Sequence, residues 1–137
     1  MSEVLLDSDI VSLFFKGHPE VVENMGLYLK KYGSFRISAL TYYEVRRGLE
    51  AMGIAGRVQG FERWVGMNRV IPFDTPVAKL AATLHAALKS NGRPTGEVDL
   101  LIAATALHHR WELVTNNERH FRNIPGLRVR NWTRPPA

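Results

Sequence analysis

What most constrains this chain is a repeated alternation, in which a short apolar run ending in polar residues is followed by a segment whose apolar side chains recur at helical spacing. The first such run is Glu3 to Asp7 (EVLLD), read as a buried strand. Behind it a helix begins at Ile10, with Ser8 or Asp9 as its cap. Pro19 opens a second helix to about Tyr32, stopped by Gly33, with Val21, Val22, Met25 and Leu29 on one side. Phe35 to Ser38 is the next strand. The helix from about Leu40 carries an inward stripe of Val45, Leu49 and Met52, and after Gly53 and Gly56 another runs from Arg57 to Met67 with Val58, Phe61 and Val65. Arg69 to Phe73 predicts a third strand, and Pro76 to about Ser90 a helix facing inward through Val77, Leu80, Ala81, Leu84 and Leu88. Asn91 to Gly96 is turn chemistry. An alanine-rich helix from Glu97 to about His109 and strands at Glu112–Thr115 and Leu127–Asn131 complete the pattern. This order predicts a single α/β/α sandwich over residues 1–137, with a mainly parallel sheet, helices on both faces and the working edge at the strands' carboxyl ends.

Composition narrows the chemistry. With 45% hydrophobic and 23% charged residues, the chain has the balance of an ordinary globular protein. It has no cysteine, so thiolate metal sites, disulfides and cysteine nucleophiles are excluded and only oxygen and imidazole ligands remain. Met1 to Phe15 carries three acids and no lysine or arginine, unlike a secretory signal, and no apolar run approaches the roughly 18 residues of a membrane span. The expectation is a cytoplasmic protein with no membrane partner. The net charge of +5 is concentrated beyond residue 118, where Arg119, Arg122, Arg128, Arg130 and Arg134 stand with no acid. A basic tail on a neutral body suits a phosphate-rich partner, or else a solvated strand or an acidic protein surface.

Three acids fall where such a fold would bring them to one edge. Asp7 ends the first strand, Glu44 lies in the first turns of the helix after the second, and Asp99 is in the first turn of the helix before the fourth. By the i, i+3, i+4, i+7 rule Asp99 shares a face with Ile102, Ala103 and Ala106, which puts a carboxylate at the end of a buried stripe. Taken singly, each acid has a structural reading: an aspartate beside a helix start is commonly a cap, and Glu44 can pair with Arg47. Clustered, they call for a hard cation, Mg²⁺ or Mn²⁺. The histidines offer less. His108 and His109 are adjacent and diverge on a helix, and His18, His85 and His120 read as surface or satisfied core residues. No G-x-S-x-G, Walker loop or G-x-G-x-x-G occurs. Trp111 and Trp132 read as core or interface anchors.

Four blocks resemble the PIN-domain ribonucleases, and within them the VapC toxins: LLDSDIVSLF (Leu5 to Phe14), SALTYYEVRRG (Ser38 to Gly48), GEVDLLIAATAL (Gly96 to Leu107) and LVTNNERHFRNIPGLRVRNW (Leu113 to Trp132). The last block is most similar to the branch that cuts initiator transfer RNA. The resemblance implies a Mg²⁺-dependent endoribonuclease, with Mn²⁺ a possible substitute. Asp7 and Asp99 are its metal ligands, Glu44 a further catalytic acid, and water the nucleophile. It also implies a fourth acid just after the fourth strand, where this chain has Asn117, so a charge is missing at that position. Arg46, Arg47, Arg128, Arg130 and Arg134 are the candidate RNA contacts. A VapB-like antitoxin is the implied partner and a transfer RNA the implied substrate. The implied assembly is a homodimer or a toxin–antitoxin hetero-oligomer, with the face of Val58, Phe61 and Val65 available for contact.

Three other readings stay open on the sequence. One is a housekeeping PIN nuclease. Another is an RNA-binding module with a weakened site, favoured by Asn117. The third is a phosphatase of the haloacid-dehalogenase kind, suggested by Asp7-Ser8-Asp9, although that family also needs a lysine and a later acidic pair and the Asp99 region has only one well-placed acid.

Overall fold

The computed structural model describes residues 2–92 and 95–137. Five short strands form one sheet: β1 (Val4–Leu6), β2 (Arg36–Ser38), β3 (Arg69–Ile71), β4 (Glu112–Val114) and β5 (Val129–Arg130). Their order is β3-β2-β1-β4-β5, and every pairing is parallel. The first strand made is therefore the central one. Among the described residues the helices are α1 (Ser8–Phe15), α2 (Pro19–Tyr32), α3 (Ala39–Met52), α4 (Arg57–Gly66), α5 (Thr75–Ser90), α6 (Glu97–His109) and α7 (Glu118–Phe121).

The sheet divides the core in two because successive strand side chains point to opposite faces. Val4 and Leu6 of β1, Ile37 of β2 and Val114 of β4 pack with Ile10, Val21, Met25, Tyr28, Phe61 and Trp64. Leu5, Ile71 and Leu113 face the other way, against Val77, Ala81, Leu100, Ile102, Ala103 and Phe121. Helices thus cover both faces, as the alternation predicts. Helix α6 is buried nearly all round, through Leu100, Ile102, Ala103, Ala104, Thr105 and Ala106, and its small side chains suit a position between α5 and the sheet.

Several boundaries differ from the sequence reading, each for a local reason. Helix α1 starts at Ser8 rather than Ile10, because Asp7 itself is the cap and accepts the Ser8 N–H. Ser38 caps α3 and Asp74 caps α5, so these helices start at Ala39 and Thr75. Gly33 ends α2 as expected, with a positive φ of 81°. The predicted stripes were partly misplaced. Met52, Val22 and Leu29 are exposed, while Tyr28, Phe35 and Trp64 are core. Phe61 is fully buried, so the face of Val58, Phe61 and Val65 is not an available contact surface. Helix α7 falls in a stretch where only the flanking strands were predicted. In the turn at Asn91–Gly96, Arg93 and Pro94 lie outside the described residues.

Two side chains fasten the C-terminal segment. Buried Asn24 of α2 donates from Nδ2 to the carbonyls of Trp132 (3.1 Å) and Arg134 (2.9 Å). Glu112 of β4, its side chain 8% exposed, receives both Arg128 (3.3 Å) and Arg130 (2.8 Å). The basic tail is therefore partly neutralised at its base.

Candidate active site

Adjacent strand ends build the site. The β1–β4 register sets Leu6 beside Val114, so the next residues, Asp7 and Thr115, emerge together at the carboxyl edge. Asp7 N–H continues the ladder to the Val114 carbonyl at 2.9 Å. Its side chain, on a residue 4% exposed, is held at both oxygens: Ser8 N–H donates to Oδ1 and Thr115 Oγ1 to Oδ2, each at 2.8 Å. Burial pushes the Asp7 carboxyl up to about 7; the nearby Asp9 charge adds to the rise, the Thr115 and Ser8 bonds oppose it, and Asp99 adds a further push.

Asp9, in the first turn of α1, also has its carboxyl raised by burial, against the bond it accepts from Asn116 N–H. That bond, from Oδ2, is 2.9 Å long and ties α1 to the loop between β4 and α7. Asp9 Oδ1 is buried and has no hydrogen-bond partner among the described residues. Glu44 does not pair with Arg47. Instead Ser8 Oγ donates to its Oε1 at 2.5 Å, while Arg47 lies over the Tyr43 ring. Asp99 Oδ2 is 3.0 Å from His120 Nδ1.

The structure thus brings Asp7, Glu44 and Asp99 to one edge, each on its own protein partner, and adds Asp9, Ser8, Thr115 and His120 around them. Among the described residues, no three acidic or histidine side chains converge closely enough to clasp an ion as they stand. Asn117 is exposed at the start of α7; its N–H donates to Thr115 Oγ1 at 3.0 Å and its side chain makes no capping bond. The candidate RNA contacts lie outside this cluster. Arg46 pairs with Glu50 (2.9 Å) and Glu62 (2.6 Å), Arg128 and Arg130 hold Glu112, and Arg134 pairs with Glu118 of α7 (2.6 Å), placing Arg134 on the rim. Sequence reasoning took Asp9 as a helix cap and His120 as a surface or core residue, because the contacts that bring them here join residues far apart in the chain.

The PIN domain family model matches residues 4–127. A tRNA(fMet)-specific endonuclease VapC of Shigella flexneri is 30% identical over 134 residues, covering 97% of this chain and 100% of the relative. The chain is a PIN-domain protein of the VapC family. A VapC ribonuclease of Sinorhizobium fredii is likewise 30% identical, over 96% of this chain and 99% of its own length. Among solved structures, the PIN fold here superimposes on DNA-bound VapBC from Salmonella typhimurium with a TM-score of 0.80 at 26% identity, covering 96% of this chain and 99% of that one. VapBC2 from Rickettsia felis, bound to a promoter DNA fragment, gives 0.81 at 25% identity, with coverage of 94% and 98%. Among the described residues no helix is long and apolar enough to cross a membrane.

Proposed function

We propose that this VapC-family chain is a divalent-metal-dependent endoribonuclease and the toxin of a toxin–antitoxin pair, with Asp7 and Asp99 holding Mg²⁺ and Glu44 and Asn117 completing the site. The observation that carries this reading is the Asp7 carboxylate, buried beside a second acid with no lysine, arginine or histidine paired to either among the described residues. Burial of that kind is costly without a compensating charge. The all-oxygen donor set fits Mg²⁺ or Mn²⁺, and the orphaned, buried Asp9 Oδ1 supports the same fit.

When bound, Mg²⁺ supplies charge neutralisation for the scissile phosphate and lowers the pKa of a water molecule. The protein's part is orientation. Thr115 and the Ser8 N–H fix both oxygens of Asp7, so the carboxylate cannot swing away. Ser8 Oγ holds Glu44 by Oε1, leaving the other oxygen to orient the attacking water and accept its proton. Asn117, exposed at the mouth, offers a carbonyl to that water without adding charge. Arg46, Arg47, Arg128, Arg130 and Arg134 keep guanidinium donors to spare beyond their present partners and guide RNA phosphates.

The substrate proposed is a transfer RNA, a reading supported by the Shigella flexneri relative's specificity for tRNA(fMet), and the cut is proposed in the anticodon stem-loop. The partner proposed is a VapB-like antitoxin, supported by the VapBC complexes that share this fold; its acidic or arginine-bearing segment would meet the carboxylate cluster, and assembly is as a homodimer or hetero-oligomer. The test is to incubate the purified chain with total transfer RNA in Mg²⁺, Mn²⁺ or chelator and to sequence the fragment ends. The expected result is metal-dependent cleavage at one loop, lost in Asp7→Asn and Asp99→Asn. Intact RNA, or equal cleavage by both variants, would overturn the proposal.

A further inference from the structure

We propose that Asp9 is a metal-facing carboxylate beside Asp7, supplying negative charge that Asn117 does not. This rests on the reading above that a divalent cation binds here. A capping role does not account for Asp9, because Asp7 already caps α1 through the Ser8 N–H. Its bond to Asn116 N–H uses only Oδ2, and it anchors Asp9 to the very loop that carries Asn117. The other oxygen, Oδ1, is buried and unpartnered among the described residues.

The nearest available donor is already committed. Thr115 lies close to both Asp7 and Asp9, but a hydroxyl has one proton, and Thr115 gives its proton to Asp7 Oδ2 at 2.8 Å. Thr115 can therefore satisfy only one of these two neighbouring carboxylates, and Asp9 Oδ1 is left without a donor. A water could satisfy Oδ1 but would leave two neighbouring negative charges uncompensated. A divalent cation satisfies the oxygen and the charge together.

The probe is Mn²⁺ added to the full chain after removal of bound metal, with affinity read by calorimetry and by the electron paramagnetic resonance of free Mn²⁺. Asp9→Asn retains an oxygen for Asn116 N–H, and circular dichroism checks its fold. Its Kd for Mn²⁺ should rise at least about tenfold. Adding Asn117→Asp to that variant should return the Kd to within about threefold of the parent, a rescue that a purely structural Asp9 would not show. In the unmutated protein, substoichiometric Mn²⁺ should broaden the carboxyl carbon resonance of Asp9 together with that of Asp7. A folded Asp9→Asn variant with the parent's Kd, a double variant that does not recover, or an Asp9 carboxyl that stays sharp while that of Asp7 vanishes would each overturn the assignment. In all three outcomes the parent still binds Mn²⁺ and the metal site survives. A parent that binds no Mn²⁺ would overturn the metal site and the Asp9 assignment together.

Discussion

Replacing Asp7 with asparagine should stabilise the metal-free protein, and by an amount that grows with pH. An acid whose folded pKa lies above its unfolded value favours folding fully only below the unfolded pKa, and that contribution is lost as pH rises through the folded one. For Asp7 the window runs from 3.8 to about 7. At about 1.4 kcal/mol per pKa unit, the ionised carboxylate costs the fold about 4 kcal/mol at pH 8 and only about half a kcal/mol at pH 4. Asparagine carries no such pH dependence. Its own desolvation and the loss of one acceptor reduce the gain, so the expected advantage at pH 8 is about 2–4 kcal/mol, or roughly 6–12 °C in Tm for a domain of this size. Thr115 can accept from the new amide and turn its proton toward Asp9. The assay is thermal unfolding of both proteins in chelator from pH 4 to pH 8, where contributions shared by both cancel in the difference. An advantage that is absent at pH 8, or that does not widen with pH, would refute the claim that Asp7 is an uncompensated buried charge.

Ser8→Ala should slow RNA cleavage at least about tenfold by releasing Glu44, since a hydrogen bond to a carboxylate is worth about 1.5–3 kcal/mol; unchanged cleavage would remove Ser8 from the site. Converting Arg128, Arg130 and Arg134 to glutamine should lower the slope of log affinity for RNA against log salt by about 2, and should also lower Tm because Glu112 loses both its cations. Binding with the parent's salt slope would assign these arginines to structure alone. Asn24→Leu should strip the Trp132 and Arg134 carbonyls of their donor, cost about 1–3 kcal/mol and speed tryptic cleavage after Arg130; equal digestion rates would count against it.

The legible parts of the fold were those written in short stretches of chain. Pro19 and Gly33 bracket α2, and the span Glu97–His109 was read as it stands, because caps, breakers and an alanine-rich run act locally. Strand lengths were overread by one to three residues because pairing with neighbours, which no single stretch encodes, decides where a ladder ends. Helix α7 was missed because it is four residues long and buries only Phe121. Stripes slipped where aromatic residues competed: Trp64 rather than Val65 is the deeply buried neighbour of Phe61. Asp7, Glu44 and Asp99 were recognisable from their places at strand and helix ends. Asp9 and His120 were not, because their roles depend on the β4–α7 loop folding back over α1 and α6, a contact between residues about a hundred and about twenty positions apart.

The central position of β1 bears on how the protein is made. Synthesis delivers Asp7 before Glu44, and Thr115, which holds Asp7 in place, follows 108 residues after Asp7. Until then β1 has only one of its two neighbours, and the loop that ties down Asp9 does not exist. Closing contacts across so long a separation is slow, and a domain folds as a unit once its last essential strand is available. A nascent chain is therefore without an assembled carboxylate edge until β4 and Thr115 have been made.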